Sequence, residues 1–219
     1  MFTKFTAKAL LILLVLTLAA PAGARDPDSE VDFLALASLM LRDGNMDRAM
    51  TALDQVDLAD EEVDRVRYYT LRGMTHMRRN ELEPARVALQ AATEAGEAEA
   101  VVYIYLAQVS YQLEDYRAAV GALDSAGVAV ERIPAVYHMK AQSYWLLEEK
   151  IMALAVLDQA SEIFPQDSSF LRRKVFFLVD VGLYKLAVEE GKRYLEQSAG
   201  KVEDYIAIGN ALRSSGELD

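Results

Sequence analysis

Alanine recurs at Ala49, Ala85, Ala119, Ala153 and Ala187, in steps of 36, 34, 34 and 34 residues, and its neighbours recur with it. A fixed period of that length belongs to stacked helical hairpins. One hairpin is too small to bury its own apolar face, and the adjacent copy supplies the missing cover. Counting copies from Glu30, Val66, Ala100, Pro134, Ser168 and Val202, the fourth residue is bulky throughout: Phe33, Tyr69, Tyr103, Tyr137, Leu171 and Tyr205. The eighth is small at Ala37, Gly73, Ala107, Ala141 and Gly209, with Val175 the exception, and the twenty-fourth is Leu53, Leu89, Leu123, Leu157 and then Gly191. Small residues at eight and twenty let two antiparallel helices approach, while bulky ones at four and twenty-four fill the space to the next pair. Turns are expected at Asp43-Gly44-Asn45, Arg79-Asn80, Glu114-Asp115, Glu148-Glu149 and Val181-Gly182. Asp60, Pro134 and Asp167-Ser168 supply helix starts, and Pro165 ends the helix before it. The expectation is an all-α stack over one domain, 25–219, with copies near 30–65, 66–99, 100–133, 134–167 and 168–201 and a partial sixth at 202–219.

The N-terminal segment follows other rules. Lys4 and Lys8 precede an apolar run from Ala9 to Ala20, then Pro21 and Ala22-Gly23-Ala24. This reads as a secretory signal cleaved after Ala24, which places the mature protein outside the cytoplasm, in the periplasm of a two-membrane cell. The run is short of the ~20 residues that span a bilayer as a helix, so an uncleaved anchor is the weaker alternative and no stable span is expected after cleavage. The absence of cysteine removes disulfides, thiolate metal sites and cysteine nucleophiles. Without Lys4 and Lys8 the chain carries 21 basic and 34 acidic residues, a balance that repels nucleic acid and anionic headgroups. The same charge also serves to keep an elongated protein soluble.

The positions quoted above resemble the tetratricopeptide repeat, whose copies carry a bulky fourth, a small eighth, an alanine at twenty and often a proline at thirty-two, here Pro165. The resemblance runs from Ser29 to Asp219 and implies a right-handed α-solenoid of five complete copies plus a partial sixth. Three departures stand out. The seventh position, usually leucine, is Arg72, Lys140 and Lys174 in three copies; a long cationic stem can lie along a helix surface with its head in water. The 36-residue step implies two extra residues near Leu58 to Glu62. The sixth copy stops at Asp219, which suggests either a piece of a longer protein or a final helix that docks on a partner or on its own copy.

Catalytic chemistry finds no support. His76 and His138 lie in different copies without a ligand pair, no phosphate loop or nucleophile elbow occurs, and adjacent acids such as Glu189-Glu190 diverge by about 100° on a helix. Neither cofactor nor metal is expected. In the resembling family the first helices line a concave face. Carried over residue by residue, its positions are Arg67, Met74, Met77 and Arg78, then Ile104, Gln108 and Tyr111, then His138, Gln142 and Trp145, then Arg172 and Phe176. Trp145 is the leading anchor for a bound apolar side chain, against the alternative that Trp145 and Phe176 pack on neighbouring helices. The family's paired Lys and Asn that grip a terminal carboxylate are replaced by Leu34 and Ser38 in copy one, so that clamp is not implied. The expected function is a non-catalytic scaffold of the cell envelope that binds a peptide or helix of a protein partner. The alternatives are the front part of a larger polysaccharide-export, secretion or cell-wall assembly factor, and self-association through 202–219.

Overall fold

The computed structural model describes residues 31–216, so the signal expected over 1–24 lies outside the described residues. Among the described residues the chain forms eleven α-helices, one short 3-10 turn at Gly127–Val130 and no strand. They are α1 (Phe33–Arg42), α2 (Met46–Leu53), α3 (Arg65–Arg78), α4 (Leu82–Ala95), α5 (Ala100–Gln112), α6 (Tyr116–Ser125), α7 (Pro134–Leu146), α8 (Lys150–Ile163), α9 (Ser169–Asp180), α10 (Tyr184–Gln197) and α11 (Val202–Ser215). Odd and even helices pair as hairpins, each hairpin packs on the next, and α11 packs on α9 and α10.

The periodic residues carry the packing. Ala49, Ala85, Ala119, Ala153 and Ala187 are all fully buried, as are Leu53, Leu89 and Leu157. Close approach is strictest at two glycines. A Cβ at Gly73 would lie 2.6 Å from Leu89 Cγ, and one at Gly191 would lie 2.7 Å from Ile208 Cγ1. The second contact explains why glycine replaces the leucine of the other copies: Ile208 of α11 occupies that space.

Each hairpin reverses at the fifteenth residue of its copy, where Gly44, Asn80, Glu114, Glu148 and Gly182 all have φ between 60° and 80°. The next amide reaches back to the carbonyl five residues earlier, Asn45 to Met40, Glu81 to His76, Asp115 to Ser110, Glu149 to Tyr144 and Leu183 to Leu178. This closes orphan carbonyls at the helix end and fixes the reversal. Left-handed backbone costs an L-residue about 1–2 kcal/mol, part of which glycine returns as unfolded-chain entropy. Glu114→Gly is therefore expected to raise stability by about 1 kcal/mol in urea denaturation. A loss would show that the Glu114 side chain contributes more than its strain.

Helix starts use short acids. Asp32, Asp64 and Asp115 accept from the amides of Ala35, Arg67 and Ala118. Asp64, not Asp60, caps α3; Asp60 instead accepts from the Glu62 amide inside the 54–64 connection, where an Asx turn competes with a helix start. Pro134 occupies the first turn of α7, and Asp167 accepts from the Ser169 amide before α9.

The cationic seventh positions have partners. Arg72 pairs with Asp54 at 3.6 Å, Lys140 with Asp124, and Lys174 with Asp158 and, at 2.8 Å, Glu190. Each Asp is the twenty-fifth residue of the preceding copy. Where that residue is Gln90 or Lys192, the following seventh position is the apolar Leu106 or Ile208. At the seventh position a cation thus stands only where the copy behind it offers a carboxylate, so none of these three charges is left unpaired. Burial by itself would draw the Lys174 amine down, yet Asp158 and Glu190 hold it above its ordinary value.

Candidate functional site

A cavity of about 570 Å³ on the first-helix side lies across α7, α9 and α11. It is lined by His138, Ser169, Arg172, Arg173, Phe176, Phe177 and Glu203. Packing between the fourth and fifth hairpins builds its floor. Phe170, fully buried, stacks on the His138 ring at 4.2 Å and 13° and meets Phe164 at 5.7 Å. Trp145 stacks on Phe177 at 3.8 Å and 14°. Aromatic faces in contact across two helices leave few alternative rotamers, so the polar groups above them are held in place.

Those polar groups form a short network. His138 Nε2 lies 2.9 Å from Ser169 Oγ, while its Nδ1 is buried with no hydrogen-bond partner among the described residues. Burial and the neighbouring Arg173 draw the His138 pKa below its ordinary value against the opposing pull of Asp167, so the ring is neutral at pH 7. Arg173 donates through Nη1 to Gln142 Oε1 at 2.7 Å. Burial lowers its pKa, with Tyr111 opposing and Arg172 reinforcing the shift, but a guanidinium remains charged. Arg172 donates through Nε to Asp204 Oδ1 at 2.7 Å and approaches Glu203 at 3.4 Å, and its guanidinium carbon lies 5.0 Å from the Phe176 ring centroid. Chemically the groove offers guanidinium donors and a neutral imidazole beside half-buried aromatic carbon, an arrangement that can hydrogen-bond carboxylate or carbonyl oxygen while covering an apolar side chain.

The structure sorts the residues expected from the sequence. His138, Arg172 and Phe176 line the cavity, and Gln142 orients Arg173 at its wall. Trp145 does not serve as an exposed anchor. It is only 9% exposed and belongs to the core, closed on one face by Phe177 and contacted by Lys150, whose Nζ is 3.9 Å from the ring centroid. Phe177, one residue beyond Phe176, is what draws it inward. Met74 is half-buried against the core that α3 shares with the first hairpin, and Met77 and Ile104 are half-buried against cores that their own hairpins share with the next helix. Tyr111 meets Tyr116 edge to face at 5.4 Å, Gln108 is half-buried, and Arg67 and Arg78 are exposed on α3. Ser169, Arg173, Phe177 and Glu203 were not expected from the sequence; the run Arg172-Arg173-Lys174 was a signal for Arg173 alone. A smaller cavity of about 240 Å³ beside the 3-10 turn is lined by Val128, Tyr137 and Lys140, and its lysine is already committed to Asp124. Among the described residues, no group of three His, Asp or Glu side chains could hold a metal ion.

Comparison with known proteins bears on the fold. The tetratricopeptide repeat model matches residues 134–167, the span of α7 and α8. No curated protein matches the sequence. Among solved structures, the crystal structure of YrrB, described as a TPR protein with an unusual peptide-binding site, superposes with a TM-score of 0.67 at 16% identity, over 84% of this chain and 90% of that one. Two MamA structures superpose with TM-scores of 0.64 and 0.62 at 21% and 16% identity, over 74% and 70% of this chain and 94% and 84% of theirs. Identities this low establish the fold and nothing finer. With the 34-residue period, the buried alanines and the repeated hairpin reversal, they show an α-solenoid of stacked helical hairpins with the fold of tetratricopeptide-repeat proteins, one copy of which, 134–167, matches the model of that repeat.

Proposed function

We propose that this solenoid is a non-catalytic interaction scaffold of the cell envelope, exported by the segment 1–24 and acting in the periplasm, which holds a peptide or helix of a protein partner against its first helices. The observation that carries this reading is the groove across α7, α9 and α11, where Phe176, Arg172, Arg173 and His138 converge on a rigid aromatic floor. Rigid helices lose little entropy when they bind, so even a modest contact area yields usable affinity. A randomised peptide library displayed on phage and selected on the purified protein tests it. Enriched peptides are expected to lose at least about tenfold in affinity for Phe176→Ala, as expected for truncation of an aromatic contact. Enriched peptides that bind Phe176→Ala as well as the native chain would place the site elsewhere.

A second reading, in which the array works as one part of a larger export, secretion or assembly factor or associates with its own copy, draws on α11. There Val202, Tyr205 and Ile206 are 75%, 54% and 58% exposed. Sedimentation of the native chain and of Ile206→Glu tests it: self-association that the glutamate abolishes supports this face as an interface.

A further inference from the structure

The charges of this acidic chain are sorted by helix. The first helices α1, α3, α5, α7, α9 and α11 together contain ten lysines and arginines and three acids, Asp180, Glu203 and Asp204, the last two of which face Arg172. The second helices α2, α4, α6, α8 and α10 contain nine acids and seven bases. In a sequence with 34 acids to 23 bases, the face carrying the groove is therefore opposite in sign to the rest of the molecule. Part of that charge is spent inside the fold, since Lys140 and Lys174 pair with carboxylates of neighbouring second helices and Arg72 with Asp54 at the end of α2. Arg67, Arg78 and Arg173 have no carboxylate within ion-pair distance among the described residues. Arg173 is the most telling of these: half-buried, carried on Gln142, beside the aromatic floor, and opposed by no anion. A half-desolvated guanidinium without an acid is costly until an anion arrives.

We propose that the groove selects an acidic peptide, one carboxylate meeting Arg173 with Arg172 beside it and an adjoining apolar side chain lying on Phe176; this rests on the peptide-binding reading above. Charge complementarity singles out this occupant. The surrounding acidic loops and second helices repel a long polyanion, and α5, which lies between the cations of α3 and α9, has no charged side chain, so there is no continuous track for a nucleic-acid backbone. A segment with two or three carboxylates needs no such track. His138, neutral at pH 7, adds a hydrogen-bonding group without adding charge.

The same display selection, read for composition, separates the two claims. Selected peptides are expected to be rich in Asp and Glu next to a Leu or Phe. Synthesised with acetylated and amidated ends, they should lose about tenfold or more in affinity when the acids become Asn and Gln, and a similar amount on Arg173→Gln. Affinity of the native chain should also fall steadily as salt rises from about 50 to about 300 mM, a readout that needs no variant. If selected peptides depend on Phe176 but are neutral and insensitive to salt and to Arg173→Gln, acid selection is overturned and peptide binding survives. Peptides insensitive to both Phe176→Ala and Arg173→Gln overturn both. A deoxythymidine decamer that displaces the acidic peptide at lower concentration than unlabelled peptide overturns the choice of peptide over nucleic acid. Self-association abolished by Arg173→Gln, with no peptide binding, assigns the groove to an acidic loop of a second copy and overturns a separate partner.

Discussion

Phe170→Ala is expected to lower stability by about 3–5 kcal/mol, the usual cost of truncating a fully buried aromatic residue. Phe170 has no exposed surface and touches His138 of α7 and Phe164 at the end of α8, so its loss opens a cavity at the junction between the fourth and fifth hairpins. Stability in a stacked array is approximately a sum of hairpin and junction contributions. A weakened junction should therefore also divide unfolding, with 169–215 melting ahead of 33–163. Urea titration followed by tryptophan fluorescence suits the measurement, because Trp145 is the sole tryptophan and sits at this junction against Phe177. A loss below about 1 kcal/mol would mean that the two hairpins do not depend on each other for cover.

The second large effect falls on Asp204. Its side chain is 2% exposed and accepts from the Lys201 amide at 2.7 Å, the Tyr194 hydroxyl at 2.9 Å and Arg172 Nε at 2.7 Å, so one carboxylate starts α11 and ties it to α9 and α10. Asp204→Ala leaves a half-buried guanidinium and a buried phenol without their acceptor and is expected to cost about 2–4 kcal/mol. Burial alone would raise the Asp204 pKa, but the Lys201 amide, Tyr194 and Arg172 together hold it below its ordinary value. A carboxyl whose folded pKa is depressed stabilises the fold above its unfolded value and loses that contribution as pH falls through the folded one. Native protein should accordingly lose stability below about pH 4, and Asp204→Asn should flatten that dependence. Hydrogen exchange in α11 at pH 7 reports the docking directly. Unchanged protection in Asp204→Ala would show that α11 is held by Ile208 and Ala211 alone.

The fold was largely legible because its determinant is periodic. Ala49 through Ala187 are all fully buried where the helices pack, and a small residue that returns every 34 positions points to one contact repeated from hairpin to hairpin. The reversals were legible only in part. Gly44 and Gly182 announce left-handed backbone, whereas Glu114 and Glu148 adopt it because the packed hairpins on either side impose it. Asp60 and Asp64 are equivalent as helix starts by residue type, and only the length of the 54–64 connection chooses between them. The cationic seventh positions depart from the repeat pattern only when each copy is read alone. Asp54, Asp124 and Asp158 stand opposite them, a pairing that crosses from one copy to the next and is invisible within either.

The site was less legible than the scaffold, for a physical reason. Successive side chains on a helix turn by about 100°, so position in the copy sets the direction of a side chain to within one neighbour, and that one neighbour decides exposure. Phe176 reaches the groove while Phe177 turns inward and takes Trp145 with it. Arg173 lies next to an expected residue and contributes more to the groove than several expected ones. Net charge misled in a similar way. The overall excess of acid describes the whole surface, whereas a ligand meets one face, and here that face has the opposite sign.

The most direct test of the central claim is amide hydrogen exchange of the full chain with and without a saturating selected peptide. Binding against the first helices predicts slowed exchange in α7 and α9, with α8 and α10 unchanged. Slowing confined to α8 and α10 would contradict it, because the ligand would then lie on the opposite side of the hairpins from the groove.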